Sequence, residues 1–182
     1  MKRVLVMVGS LRQQSLNLKF AKAVAALAQP RLACEFADLS HLPMYNDDLW
    51  QSPPAAVLAF KEQVRTSDAV LFVAPEYNRS IPPVLKNAID WASRPKDDNV
   101  WNGKPGAVAG ASPGMIGTAV GQAHLRYVAG VVGIALMPLP EVYFSLKQDT
   151  IDEQFRFQKK ETIEFIGSFI QTFDRWIDQI SK

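Results

Sequence analysis

The chain has one cysteine, Cys34, among 182 residues. A lone cysteine excludes an internal disulfide and has no partner for a thiolate metal site, so its expected role is core packing. Histidine is almost as scarce. His41 falls in a loop and His124 in a helical stretch; neither has a recognisable partner in sequence, so neither is assigned an acid or base role. Long apolar runs are missing too. The first apolar stretch opens at once on a strand pattern, is too short to span a bilayer and lacks a small-residue cleavage site, so a cytoplasmic location is expected. Charge of one sign does not accumulate: 20 basic against 18 acidic residues leave a net +2, with no block suited to nucleic acid or a membrane surface. Neither partner is expected. There is no internal repeat or low-complexity segment. With 48% hydrophobic residues the chain can bury one sizeable core, so residues 1–182 are read as a single domain.

Strand-like runs recur at Val4–Val8, Leu32–Ala37, Ala69–Ala74, Gly106–Ala109 and Ile134–Met137, the last extended toward Tyr143. Between them lie helical stretches at Leu18–Ala28, Ala55–Arg65, Pro82–Trp91, Thr118–Val132 and Ile151–Ile180, with apolar residues at three- and four-residue spacing. The last carries Phe155, Ile163, Phe165, Ile166, Phe169, Ile170, Phe173, Trp176, Ile177 and Ile180, read as the face that packs on the sheet. The alternation is that of an α/β fold. Five strands with right-handed crossovers suit a doubly wound parallel sheet, helices on both faces, in the flavodoxin-like order 2-1-3-4-5. The loops after strands one, three and four then share one crevice.

Those three loops have unusual composition. After the first strand come Ser10, Leu11, Arg12, Gln13, Gln14, Ser15, Leu16 and Asn17, before a helix whose unpaired N–H groups and dipole favour an anion. Ser10, Ser15 and Asn17 can donate hydrogen bonds and Arg12 supplies a positive charge, a combination suited to a phosphate monoester. Ser15 or Asn17 as a plain helix cap is the structural alternative. The turn lacks the lysine-ending glycine run of nucleotide triphosphatases and the three-glycine dinucleotide fingerprint, which suits a phosphate held rather than transferred. After strand three comes Pro75-Glu76-Tyr77-Asn78-Arg79-Ser80-Ile81-Pro82-Pro83, and after strand four Ala111-Ser112-Pro113-Gly114-Met115-Ile116-Gly117. Tyr77 offers an aromatic face, Asn78 can bond the polar edge of a heterocycle, and Gly114 and Gly117 permit close backbone approach. The structural alternative is a proline-started helix and ordinary tight turns. A ligand with a phosphate at one end and a flat ring at the other fits, and flavin mononucleotide (FMN) has that shape.

Gly9-Ser10-Leu11-Arg12 with Ser15 and Asn17, Pro75-Glu76-Tyr77-Asn78 and Leu85-Lys86-Asn87-Ala88-Ile89-Asp90-Trp91 together resemble the NADPH-dependent FMN reductase family, which includes quinone, chromate and azo-dye reductases. The resemblance covers nearly the whole chain. It implies a flavodoxin-like fold with non-covalent FMN, its phosphate on Ser10, Leu11, Arg12, Ser15, Leu16 and Asn17. The ring contacts it implies are Pro75, Glu76, Tyr77 and Asn78, with Ser112, Gly114 and Met115. NADPH or NADH is the implied co-substrate, small-molecule electron acceptors the implied partners, and a homodimer or homotetramer the implied assembly. Trp91, Tyr127 and Phe144 are interface aromatics or core. Pro83 departs from the glycine found in many members.

The flavin then carries the redox step and the protein binds, orients and tunes it, with no protein nucleophile. A ping-pong cycle is expected, with the acceptor following the nicotinamide on one face. Arg79, beside the ring loop, is the leading candidate for contact with the NADPH phosphates. An electron carrier of the same fold is disfavoured by the near-neutral charge. A low-molecular-weight phosphatase is disfavoured because Cys34 lies outside the loop. A flavin-based sensor stays open.

Overall fold

A computed structural model describes residues 1–147 and 149–181 of the chain. Its strands are β1 (Lys2–Val8), β2 (Leu32–Phe36), β3 (Ala69–Val73), β4 (Pro105–Ser112), β5 (Ala135–Leu136) and β6 (Val142–Ser145). The helices are α1 (Leu16–Ala28), α2 (Ala55–Thr66), α3 (Pro83–Ala92), α4 (Ala119–Val131) and α5 (Lys160–Ile180). All strand pairs are parallel, in the order β2-β1-β3-β4-β5, and β6 also pairs with β4. This is the flavodoxin-like order expected from the sequence.

The apolar run of β1 is continuous because both faces of the sheet are covered. Val4, Val6 and Val8 face the layer of α1 and α5, where they meet Phe20, Val24, Phe169 and Phe173. Leu5 and Met7 face the layer of α2, α3 and α4, with Phe60, Leu85, Ile89, Trp91 and Leu125. Each such fully buried side chain contributes roughly 1.5–3 kcal/mol. Two of the candidate interface aromatics belong to these layers: Trp91 is fully buried, and Phe144 stacks on Phe20 with ring centroids 5.1 Å apart. Cys34 is partly buried in β2 against the first layer, and burial pushes its thiol up to about 11.

Two expectations need correction. The fifth strand is not continuous to Tyr143, because Pro138-Leu139-Pro140 separates β5 from β6 and proline has no N–H for the ladder. The last helix does not begin at Ile151. Residues Ile151 and Phe157 form an antiparallel bridge, Asp152 Oδ1 accepts from Arg156 N–H at 2.8 Å, and Phe155 has φ 58°; a locally bonded turn outcompetes the helix there. Ile163 and Phe165 are exposed, so the packing face of α5 is Ile166, Phe169, Ile170, Phe173 and Ile177.

β4 runs longer than the apolar signal suggested because Gly106, Ala107, Ala109, Gly110 and Ala111 let other elements come close. A side chain on Gly110 would collide with Thr118 Oγ1 and the Ala74 carbonyl oxygen. Gly110→Ala is therefore expected to cost about 1–3 kcal/mol by overpacking. Urea denaturation reads this directly; an unchanged midpoint would mean that β4 and the start of α4 part freely.

Candidate functional site

Three loops leave the carboxyl ends of the neighbouring strands β1, β3 and β4, where a doubly wound sheet places its ligand crevice. Gly9 lets the first two meet. A Cβ there would lie 2.7 Å from Pro82 Cγ and 2.9 Å from both Pro75 Cδ and Leu85 Cδ1. Ser10 Oγ accepts from the Arg12 N–H at 3.4 Å, and the Ser15 N–H donates to the Arg12 carbonyl at 3.1 Å, closing the turn. Ser15 caps α1, its Oγ accepting from Leu18 N–H at 3.2 Å. The same hydroxyl keeps its own proton to donate, so capping and anion binding do not compete. Ahead of Leu18, the N–H groups of Leu16 and Asn17 have no preceding helical carbonyl to bond. Arg12 is exposed beside them.

Asn17 also ties the helix to the sheet. Its side chain is buried, with Oδ1 accepting from Ala111 N–H at 2.9 Å and Nδ2 donating to the Ala111 carbonyl at 2.8 Å. Both polar atoms are engaged by β4. Nδ2 carries a second N–H besides the one bonded to Ala111, and the backbone N–H of Asn17 lies in the first turn of α1.

The loop after β3 is a tight turn closed by Tyr77 N–H to Ser80 carbonyl at 3.2 Å and Ser80 N–H to Tyr77 carbonyl at 3.0 Å. Asn78 (φ 50°) and Arg79 (φ 64°) occupy its centre, the pattern of a type I′ turn. Pro75 is buried beneath it. Glu76 is not a free, solvated carboxylate. Its Oε2 accepts from Gly121 N–H at 3.0 Å and its Oε1 from Arg79 at 3.0 Å. Desolvation raises this carboxyl, but the Gly121 bond and the bonded, charged Arg79 together outweigh it and hold it below its ordinary 4.5. Arg79 is thus an ion-pair partner within the turn. Ser80 Oγ lies 3.2 Å from His124 Nδ1, a pairing across 44 residues that no local pattern could signal.

In the loop after β4, Ser112 Oγ lies 3.2 Å from both the N–H and the carbonyl oxygen of Gly114. A Cβ at Gly114 would meet nothing closer than 3.7 Å, so this backbone is open. Gly117 has φ 65°, and the missing side chain lets it pack on the Tyr143 backbone. Around the crevice the apolar rim is exposed: Leu11 is 60%, Tyr77 46% and Met115 96% accessible. Among the described residues no cluster of His, Cys, Asp and Glu could hold a metal ion, and no helix is long and apolar enough to cross a membrane. Pro83 is the first residue of α3 and Pro82 its cap, a proline-started helix.

Comparison with known sequences decides the family. A profile described as NADPH-dependent FMN reductase matches residues 2–150. The chain belongs to the NADPH-dependent FMN reductase family. It is 43% identical to a 2-hydroxy-1,4-benzoquinone reductase of a Burkholderia species, covering 96% of each chain. Identity to a quinone reductase of Escherichia coli K12 is 37%, with 98% of this chain and 96% of that one covered. Among solved structures, the flavoenzyme NAD(P)H:(acceptor) oxidoreductase FerB of Paracoccus denitrificans matches with a TM-score of 0.96 and 45% identity, covering 98% of each chain. As a member of this FMN reductase family the protein is an oxidoreductase, with FMN its cofactor and NAD(P)H its co-substrate.

Two predictions follow from the geometry. Arg12→Ala and Ser15→Ala are each expected to weaken FMN binding by about 1.5–3 kcal/mol, the range for a hydrogen bond to a charged group; fluorescence titration showing no change in either would remove the phosphate cradle. For Glu76 the folded carboxyl lies below its unfolded value, so its stabilisation is fully present above about pH 4.5 and is lost as pH falls through the folded value. The stability difference between wild type and Glu76→Gln should be constant near neutrality and shrink below that point. A gap that widens on acidification would contradict the assignment.

Proposed function

We propose that the protein is a single-domain FMN reductase over residues 1–182 that passes electrons from NAD(P)H to a quinone-type acceptor by a ping-pong cycle. Azo, nitro and chromate-type compounds belong to the same acceptor set. Bound FMN supplies two-electron redox chemistry. The protein's part is to hold and shield it. In this reading Ser10, Arg12 and Ser15, with the backbone of Leu11, Leu16 and Asn17, hold the phosphate. Pro75, Glu76, Tyr77 and Asn78 line one side of the ring, with Glu76 acting through the turn it braces. Ser112, Gly114 and Met115 line the other.

The observation that carries the reading is the meeting of a charged, amide-rich turn with two ring-sized loops at adjacent strand ends, Gly9 packing directly on Pro75 and Pro82. The fit to FMN is chemical: donors and a guanidinium at one end suit a phosphate, and an aromatic and backbone-lined slot at the other suits a flat ring. Relatives named quinone reductases support the acceptor class. The exposed rim of Leu11 and Met115 supports successive visits of donor and acceptor to one open face. Tyr127, 76% exposed on α4 near exposed Val131, supports a homodimer or homotetramer, and a cytoplasmic location belongs to the same proposal. An electron carrier is the second reading, and the net charge of +2 speaks against docking by a strongly acidic surface.

One cuvette tests the cycle. The protein with FMN is expected to lose its absorbance near ~450 nm on anaerobic addition of NADPH and recover it on addition of a quinone. Bound flavin that neither nicotinamide reduces would indicate a carrier or sensor, and failure to bind FMN would defeat the reading.

A further inference from the structure

The turn between Tyr77 and Ser80 is difficult to keep in place. Both central residues sit in the left-handed region, which asparagine tolerates and arginine does not favour. Such conformations persist where the surroundings over-determine them. Its two backbone bonds close the turn on itself without fixing it against the rest of the site.

The anchoring comes from the first turns of α4. Gly121 donates its N–H to Glu76, just before the turn. A Cβ on Gly121 would stand 3.0 Å from the Ser80 carbonyl oxygen and 3.2 Å from Glu76 Cγ, so helix and turn are in direct contact. Three residues on, along the same helix face, His124 Nδ1 meets Ser80 Oγ at 3.2 Å. The two contacts grip the turn at both ends.

We propose that His124 is a positioning residue for FMN and acceptor binding: through Ser80 it fixes the Tyr77–Asn78 segment on the ring side of the site, with Gly121–Glu76 as the second anchor. The inference rests on the reading that Tyr77 and Asn78 flank the flavin. The contact tolerates either protonation state, since Nδ1 can accept from the serine hydroxyl or donate to it. His124 need not touch substrate.

The test uses wild type, His124→Ala, His124→Asn, Ser80→Ala and the double alanine variant, with FMN affinity from fluorescence titration and quinone KM and kcat at saturating FMN. Loss of one hydrogen bond should raise the FMN Kd and the quinone KM ~3–10-fold in each alanine variant, with a smaller change in kcat. The double variant should be no worse than either single one, and His124→Asn, whose amide can reach the same oxygen, should recover most of the loss. Unchanged Kd and KM in His124→Ala, or losses that multiply in the double variant, would overturn the proposal while leaving FMN binding by the wild type intact. A wild type that binds no FMN would bring down the site itself. If His124→Ala does not fold, Ser80→Ala and His124→Asn make the same comparison.

Discussion

The side chain of Asn17 lies along the peptide of Ala111 and completes both its donor and its acceptor, deep in the protein. Much of the site depends on this pairing. It fixes the first turn of α1 against the end of β4, and so sets the distance between the turn from Ser10 to Ser15 and the loop that begins at Ser112. A buried amide left half-paired would cost about 1–3 kcal/mol, so the arrangement is held by the penalty of its alternatives as much as by the two bonds. Gly9 and Gly110 play the steric counterpart, each allowing a neighbouring segment to occupy the space of an absent side chain.

Charge is arranged economically around the same crevice. Arg79 and Glu76 neutralise each other inside one turn, while Arg12 stands exposed at the mouth. In the proposed site a phosphate would meet that guanidinium and first-turn amides together. On the ring side the charges of Arg79 and Glu76 are paired with each other, and Tyr77, Leu11 and Met115 stand exposed.

The fold was legible because its strongest signals are local: continuous apolar runs for buried parallel strands, and polar turns at their carboxyl ends. The positions of the three loops followed from topology alone. What could not be read were the interactions between distant residues. Asn17 has the composition of a phosphate ligand, and nothing in its neighbourhood reveals that Ala111 engages its side chain. His124 looked partnerless because Ser80 lies on another element. Glu76 as a solvated carboxylate was one reading of the sequence, yet its bonds to Gly121 and Arg79 brace the turn. The false helical start at Ile151 has the opposite cause: apolar residues gave a plausible pattern, but Asp152 and Arg156 close a turn that no hydrophobic periodicity records.

The break in the outer strand carries a consequence for how copies of this chain can meet. An open sheet ends in unpaired N–H and C=O groups that invite another strand. Here that margin is cut into a two-residue and a four-residue piece, with Pro138 and Pro140 between them. At this edge the sheet offers another strand only a short and interrupted template.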